Sequence, residues 1–200
     1  MRLPIARRLI SGNAVVTTSP RGEAELVVNG QHFDRVVVQG IAQAQVSIDI
    51  MTADFKAMLV PTDRSTRRAK SIVQVLRELA NKGVEIRLLH AGVPSSAALR
   101  ELRRELPRGL VIRRCPRLHA KAVVIDADRM YLGSANLTGA GLGAKGEKKR
   151  NFEMGIWTSA SPLIDAVLEQ FNHLWEGRPC KTCARRDVCP VPLEEPSLAA

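Results

Sequence analysis

The stretch His119-Ala-Lys-Ala-Val-Val-Ile-Asp126, followed after six further residues by Gly133-Ser-Ala-Asn136, decides the interpretation of this chain. The apolar run at residues 118–125 predicts a β-strand, in which positions two apart share a face. His119 and Lys121 are therefore expected side by side. An imidazole beside an ammonium group suits a phosphate site better than a core, because lysine neutralises phosphoryl oxygens and histidine can attack phosphorus or transfer a proton.

Small and polar residues complete this candidate site. Gly133 would let the backbone approach a ligand closely, and Ser134 and Asn136 would add hydrogen-bond donors. The whole pattern, H-x-K-x4-D-x6-G-S-x-N, resembles the signature of the phospholipase D superfamily at every fixed position. Asn151-Phe-Glu153 is similar to the acidic element that follows the motif in that family, and the resemblance covers roughly residues 35–176.

The resemblance implies an α/β fold of the phospholipase D type, with a central mixed β-sheet flanked by helices. It also implies a phosphodiesterase that works through a phosphohistidine intermediate without a catalytic cofactor, and it implies that Glu153 orients the imidazole. Ser134 is expected to bind phosphate or the attacking water. Asp126 lies at the far end of the predicted strand, so we expect it to hold the turn there. The candidate catalytic residues are His119, Lys121, Asp126, Ser134, Asn136 and Glu153.

The chain has only one H-x-K motif. The other histidines, His32, His90 and His173, are followed two residues later by Asp34, Gly92 and Trp175. The family mechanism needs two motifs facing each other, because one histidine attacks phosphorus and the other protonates the leaving oxygen. We therefore expect each chain to be a single-motif subunit of a C2 homodimer, with the active site on the two-fold axis.

A strand–helix–strand unit is predicted before the motif. Residues 45–51 alternate as a strand, residues 71–82 have helical spacing closed by Gly83, and residues 84–90 form the next strand, which implies a parallel pair. Further helices are expected at 33–44, 96–106 and 161–175, and further strands at 24–30 (as a strand or turn), 110–113, 129–132 and 152–157, with a helical arm within 1–20.

The charge of the chain points to a polyanionic partner. The formal net charge is +10, and basic residues recur near the motif, including residues 145–150 in a flexible loop that we expect at the mouth of the site. No apolar run reaches the roughly 18 residues that span a bilayer, and the apolar stretches at the N-terminus are too short for a signal peptide. The expected location is therefore the cytoplasm.

Three functions are compatible with the motif. The first is a nuclease acting on DNA or RNA, which the basic charge favours. The second is a phospholipase D acting on phospholipids, which would use the same chemistry but would need an acyl groove or an interfacial helix. The third is an inactive relative that binds nucleic acid.

The clustering of cysteines near the C-terminus predicts a boundary between two parts of the chain. We expect residues 1–176 to form the catalytic domain and residues 177–200 a Cys-rich tail with a disordered Pro-rich end. The tail carries three cysteines at C-x2-C-x5-C spacing, namely Cys180, Cys183 and Cys189. In a cytosolic protein such a cluster favours a metal over disulfides, so we expect an iron–sulfur cluster or zinc, with Cys115 or His173 as the fourth ligand. Free or disulfide-forming thiols are the alternative.

Overall fold

The centre of the molecule is a mixed β-sheet of eight strands. The computed structural model describes residues 15–16, 24–61, 69–102, 106–185 and 189. The strands in these residues are β1 (Val15–Val16), β2 (Ala24–Val28), β3 (Ser47–Thr52), β4 (Leu59–Pro61), β5 (Ala69–Ser71), β6 (Glu85–His90), β7 (Leu110–Arg114), β8 (Ala122–Ile125), β9 (Arg129–Gly133) and β10 (Met154–Thr158). The α-helices in the same residues are α1 (Ile72–Asn81), α2 (Ser96–Leu102) and α3 (Ser161–Trp175).

The strand order is β1-β2-β10-β9-β8-β3-β6-β7, while β4 and β5 form a separate antiparallel pair. Strands β3, β6 and β7 are parallel, with Ile50 opposite Leu88 and Leu88 opposite Ile112. The remaining neighbours in the large sheet are antiparallel. Both the predicted mixed sheet and the predicted parallel strand–helix–strand unit are confirmed.

Helix α1 begins and ends where its sequence dictates. Ser71 accepts a hydrogen bond from Gln74 N–H at 3.1 Å, and the Gln74 side chain accepts one from Ser71 N–H at 3.1 Å, which together form a capping box. Gly83 follows the helix with φ of +98°, a left-handed conformation that costs glycine little. These two ends direct the chain from β5 into β6.

Helices cover both faces of the sheet. On one face, α1 packs Leu76 and Leu79 into the main core with Ile48 and Ile86. On the other face, α3 packs Phe171 and Trp175 against a smaller cluster that includes Met51. The alternation of Ile48, Ile50 and Met51 between these cores follows from the two-residue period of a strand. No helix in the described part of the chain is long and apolar enough to cross a membrane.

Several predicted elements differ from those observed. The helix expected at 33–44 is a π-helical turn, Phe33–Val38, followed by a 3-10 turn, Ile41–Gln43. The loop at 139–150 is a series of turns that ends in a 3-10 turn, Glu147–Lys149. The strand expected at 118–125 begins only at Ala122, so the H-x-K residues precede the sheet.

Parts of the predicted termini lie outside the described residues. Of the arm expected within 1–20, only Val15–Val16 is described, and it pairs with β2 as a strand rather than forming a helix. The Pro-rich end after Cys189 is not described. The first part of the expected tail forms a 3-10 helix, Arg178–Thr182, that packs against α3.

Candidate active site

Three segments of the motif meet at one end of the sheet. Lys121 comes just before β8, Gly133 ends β9, and Glu153 comes just before β10. The antiparallel register aligns these positions, because Ala122 pairs with Leu132 and Gly133 pairs with Gly155. The N–H of Gly133 also donates to the Lys121 carbonyl at 3.2 Å. Residues that lie far apart in sequence are thus brought to a common edge.

His119 and Lys121 are in contact, as predicted, although neither lies on a strand. The Nζ atom of Lys121 lies 3.1 Å from Nδ1 of His119 and donates to the His119 carbonyl at 2.8 Å. His119 is exposed and Lys121 is half-buried. An ammonium group held beside an accessible imidazole can neutralise a phosphoryl group that the imidazole approaches.

Ser134 and Glu153 form a second contact at this edge. The Ser134 hydroxyl donates to the Glu153 carboxylate, and Asn151 Nδ2 donates to the same carboxylate at 3.0 Å. The Met154 N–H donates to Ser134 Oγ at 3.1 Å and so fixes the hydroxyl. Within one chain Glu153 therefore binds Ser134 and Asn151, and no hydrogen bond to His119 is formed among the described residues.

Asn136 is held by its carbonyl oxygen. Oδ1 accepts hydrogen bonds from Ala53 N–H at 3.0 Å and Asp54 N–H at 3.1 Å, just beyond the end of β3. The Thr52 hydroxyl lies 3.3 Å from the same oxygen. The two Nδ2 donors of Asn136 have no partner among the described residues, so they are available to a phosphate oxygen.

Asp126 lies at the opposite end of β8 from Lys121. Its carboxylate accepts hydrogen bonds from the backbone N–H groups of three successive residues, at 3.1, 2.7 and 3.0 Å, namely Gln45, Val46 and Ser47. Burial alone would raise the pKa of Asp126, but these hydrogen bonds outweigh it and the pKa lies below its ordinary value. Asp126 therefore anchors the start of β3, and its grouping with the catalytic residues stays a prediction.

A buried histidine next to the site was missed in the sequence. His32 has no exposed surface, and its Nδ1 lies 2.8 Å from the Asn29 carbonyl. Its Nε2 lies 3.1 Å from the hydroxyl of Tyr131. His32 belongs to no recognisable motif, so the sequence does not predict its contact with Tyr131. The only local indication is the turn-forming pair Asn29-Gly30 before it, where Asn29 adopts φ of +49°.

The buried His32 connects the two loops of the site. The Tyr131 hydroxyl accepts from the Ala135 N–H at 3.0 Å, between Ser134 and Asn136. Asn29 in turn accepts from Glu153 N–H through Oδ1 at 3.1 Å. Because the Tyr131 hydroxyl oxygen accepts from Ala135, the hydroxyl proton can be donated to Nε2 of His32. Nε2 is then the acceptor nitrogen of the ring, and the proton of the neutral imidazole lies on Nδ1. The chain Ala135–Tyr131–His32–Asn29–Glu153 is called the support network below.

The support network is compatible with a neutral histidine. Burial lowers the pKa of His32, although the hydrogen bond to Asn29 and the charge of Glu153 act in the opposite direction. Burial likewise raises the pKa of Tyr131 to about 12. Both groups therefore stay uncharged near neutral pH.

Gly133 has a packing role that differs from the expected one. A Cβ atom there would lie 2.4 Å from the Tyr131 hydroxyl and 2.6 Å from the Cα of Gly155. A Cβ on Gly155 would meet the Tyr131 ring at 2.4 Å. The paired glycines thus make room for Tyr131 to cross beneath the site and reach Ala135.

All four cysteines line one cavity of about 30 Å³, together with Pro116, Arg117 and Arg185, and none of them forms a disulfide. Arg117 Nη1 lies 3.3 Å from the sulfur of Cys183. Among the described residues, no group of three or more His, Cys, Asp or Glu side chains is placed to hold a metal ion. The metal centre expected from the sequence is therefore not supported by ligand geometry. His173, the alternative fourth ligand, does not line this cavity.

A histidine, a lysine, and hydroxyl and amide groups thus lie together at one end of the mixed sheet. A family model described as cardiolipin synthase, PLD-like domain, matches residues 37–175. The chain belongs to the phospholipase D superfamily, as the motif indicated, and this membership supports phosphodiester chemistry. No curated protein sequence matches the chain at a significant level.

Solved structures share the fold. Nuc of Salmonella typhimurium, a phospholipase D family member, superposes with a TM-score of 0.58 at 20% identity, over 78% of this chain and 95% of its own. NucT of Helicobacter pylori gives a TM-score of 0.57 at 17% identity, over 78% and 96%. A phosphatidylserine synthase of Haemophilus influenzae gives 0.51 at 16% identity, over 79% and 39%.

Proposed function

We propose that this protein is a metal-independent nuclease that cleaves DNA or RNA through a phosphohistidine formed on His119. The observation that carries the proposal is the contact between His119 and Lys121, 3.1 Å apart, at the edge where Ser134 and Asn136 also lie. The lysine ammonium and the Asn136 amide would bind the non-bridging oxygens of a phosphodiester. Glu153 would orient the imidazole of one histidine and stabilise its protonated form.

The reaction needs two histidines in opposite protonation states. In the first step, a neutral ring nitrogen of His119 attacks phosphorus, a P–N bond forms, and the P–O bond to the leaving group breaks. The leaving oxygen takes a proton from His119 of the partner subunit. In the second step, that now neutral imidazole removes a proton from water, the water oxygen attacks phosphorus, and the P–N bond breaks. Both histidines return to their starting states.

A homodimer would supply the second histidine, and the surface beside the site suits one. Three exposed apolar side chains lie on one face of β2 and β10: Ile156 pairs directly with Leu26, and Met154 is two residues along. Phe152, which is 95% exposed, lies between Asn151 and Glu153. Apolar surface at the margin of an incomplete site favours a second copy of the chain as its cover.

The charge favours nucleic acid as the substrate. The whole chain carries a net charge of +10, and Lys145, Lys148 and Lys149 are exposed in the segment that leads to Glu153. Neighbouring basic side chains bind successive phosphates of a nucleic-acid backbone. The names of the similar structures Nuc and NucT are compatible with this substrate. The family description and the similar phosphatidylserine synthase favour a phospholipid as the alternative.

A cleavage panel tests the proposal. The purified protein is incubated in EDTA with single- and double-stranded DNA and RNA, and separately with phosphatidylcholine and cardiolipin vesicles, alongside a His119→Gln control. We expect nucleic-acid fragments from the wild type alone and no release of lipid headgroups. Headgroup release without fragments would establish the lipid alternative, and tight nucleic-acid binding without cleavage would establish an inactive relative.

A further inference from the structure

The fold brings all the cysteines of the chain together from two distant segments. Four cysteines line the 30 Å³ cavity, one from the segment after β7 and three from the segment after α3: Cys115, Cys180, Cys183 and Cys189. None of them forms a disulfide. Chance would scatter four cysteines over the surface of a protein of this size, so their convergence needs a physical reason.

Backbone hydrogen bonds fix Cys115 and Cys180, one cysteine in each of the two segments. The Cys115 N–H donates to the His90 carbonyl at 2.8 Å, which continues the pairing of β7 with β6, and its carbonyl accepts from Leu118 N–H at 2.9 Å. On the other side, Cys180 N–H donates to the Gly177 carbonyl at 2.9 Å within the 3-10 helix after α3. Two segments that lie far apart in sequence thus bring cysteines to the same cavity.

The charges around the cavity complement a cluster of thiolates. Arg117 and Arg185 line it, and the Arg117 guanidinium lies 3.3 Å from the Cys183 sulfur. Four thiolates around a dipositive metal core leave a net charge of about −2, which two guanidinium groups would balance. The described lining contains no carboxylate that would repel the thiolates.

We propose that the four cysteines bind one metal centre per chain through four thiolates. Each thiol loses its proton to solvent as its sulfur binds the metal. Among the described residues no three such side chains are already placed to hold a metal ion. Binding would therefore draw the sulfurs together around one zinc ion or around an iron–sulfur cluster. Cys115 completes the four-ligand set, because it lines the cavity and His173 does not.

The centre would fasten the end of α3 to the segment that carries His119. A groove of about 390 Å³ runs from His119 to the cysteines, and His119, Cys115 and Cys180 all contribute to its walls. Cys115 lies four residues before His119, and the turn between them is held by the Leu118–Cys115 hydrogen bond. A cross-link there would stabilise the position of His119 without touching the reacting atoms. The metal site itself does not depend on the proposed nuclease activity.

Metal analysis of the full chain, purified without oxygen, tests this inference. We expect either about four iron and four sulfide per chain with visible absorption, or about one zinc without colour. Cys115→Ser and Cys183→Ser should each lose most of the metal and lower the melting temperature. His173→Ala is the matched control, because His173 lines the groove but not the cavity, and it should keep the metal.

Two results would refute the proposed metal centre. A wild-type protein that holds neither metal after reconstitution with zinc or with iron and sulfide, and whose four thiols react freely with a thiol reagent while it is folded, would refute the centre. Full metal content in Cys115→Ser would remove Cys115 from the ligand set and refute the four-cysteine site. These readouts are independent of cleavage, so a failure here and a failure of the proposed nuclease activity are distinguishable.

Discussion

The Nε2 atom of His32 lies 3.1 Å from the hydroxyl oxygen of Tyr131, although 99 positions separate the two residues in sequence. The rings meet edge to face, with centroids 5.2 Å apart and planes at 81°. The contact lies directly beneath the loop that contains Ser134 and Asn136, because the same hydroxyl accepts the Ala135 N–H. The position of Ser134 and Asn136, the donors proposed to bind phosphate, therefore depends on a buried pair outside the H-x-K motif.

The first prediction concerns the pH dependence of the free energy of unfolding of the protein. Burial lowers the pKa of His32, so the folded protein keeps the ring neutral while the unfolded chain binds a proton near pH 6.5. The unfolded state then binds more protons, and the free energy of unfolding should fall as the pH drops through about 6.5 towards the lower folded pKa. Denaturant titrations of wild type and His32→Gln at several pH values measure the difference. Identical pH dependence in both would contradict a neutral buried His32.

The second prediction concerns Tyr131→Phe. The substitution keeps the ring but leaves the Ala135 N–H and His32 Nε2 without their shared partner. An unsatisfied buried group costs about 1–3 kcal/mol, so we expect a loss of stability in that range together with lower nuclease activity. Chemical denaturation and a cleavage assay measure the two effects. Unchanged values of both would mean that the hydroxyl does not support the loop.

The sequence predicted those side-chain contacts that depend only on the spacing of residues along the chain. The two-residue interval between His119 and Lys121 predicted their contact, because residues two apart in a strand share a face. The contact forms although β8 begins only at Ala122. The start of β8 was not predictable from residues 118–125. The pairing of β8 with β3 begins at Ala122, which lies opposite Met51. The next residue of β3, Thr52, has no partner in β8, and its hydroxyl accepts a hydrogen bond from the Leu137 N–H at 2.9 Å.

The support network was not predictable for a different reason. His32 and Tyr131 meet because β2, β10 and β9 are neighbours in the sheet, and no periodicity in one sequence encodes that order. Glu153 was expected to orient the imidazole, which stays a prediction, and its observed partners Ser134 and Asn151 depend on the register of β9 and β10. The spacing of Asp126 predicted its position at the far end of the strand from His119, but its partners Gln45, Val46 and Ser47 belong to a distant segment.

The third prediction is a shared active site. Inactive His119→Ala chains mixed with wild type, under conditions where subunits exchange, should lower activity by more than simple dilution, because a mixed dimer lacks one of the two histidines. A control variant distant from the site and from the apolar face, Lys82→Ala, should leave both the mixing curve and the activity unchanged. A monomer by light scattering that still cleaves substrate would refute the shared site.

The fourth prediction is that cleavage persists in EDTA during a short assay. Lys121 from each subunit, with the Asn136 amide, would supply the positive charge and donors that a metal ion provides in other nucleases. The assay must be short, because prolonged chelation would also remove a metal bound by the cysteines. Cleavage that strictly requires added magnesium would point to a different mechanism.

The most direct test of the proposed function is the cleavage rate of His119→Gln relative to wild type on the preferred nucleic acid. His119 is exposed, so glutamine is accommodated without a cavity, and circular dichroism and light scattering verify the fold and the oligomeric state. Loss of both the nucleophile and the acid should reduce the rate by at least about a thousandfold. A folded His119→Gln protein that cleaves within a few-fold of the wild-type rate would contradict catalysis through His119.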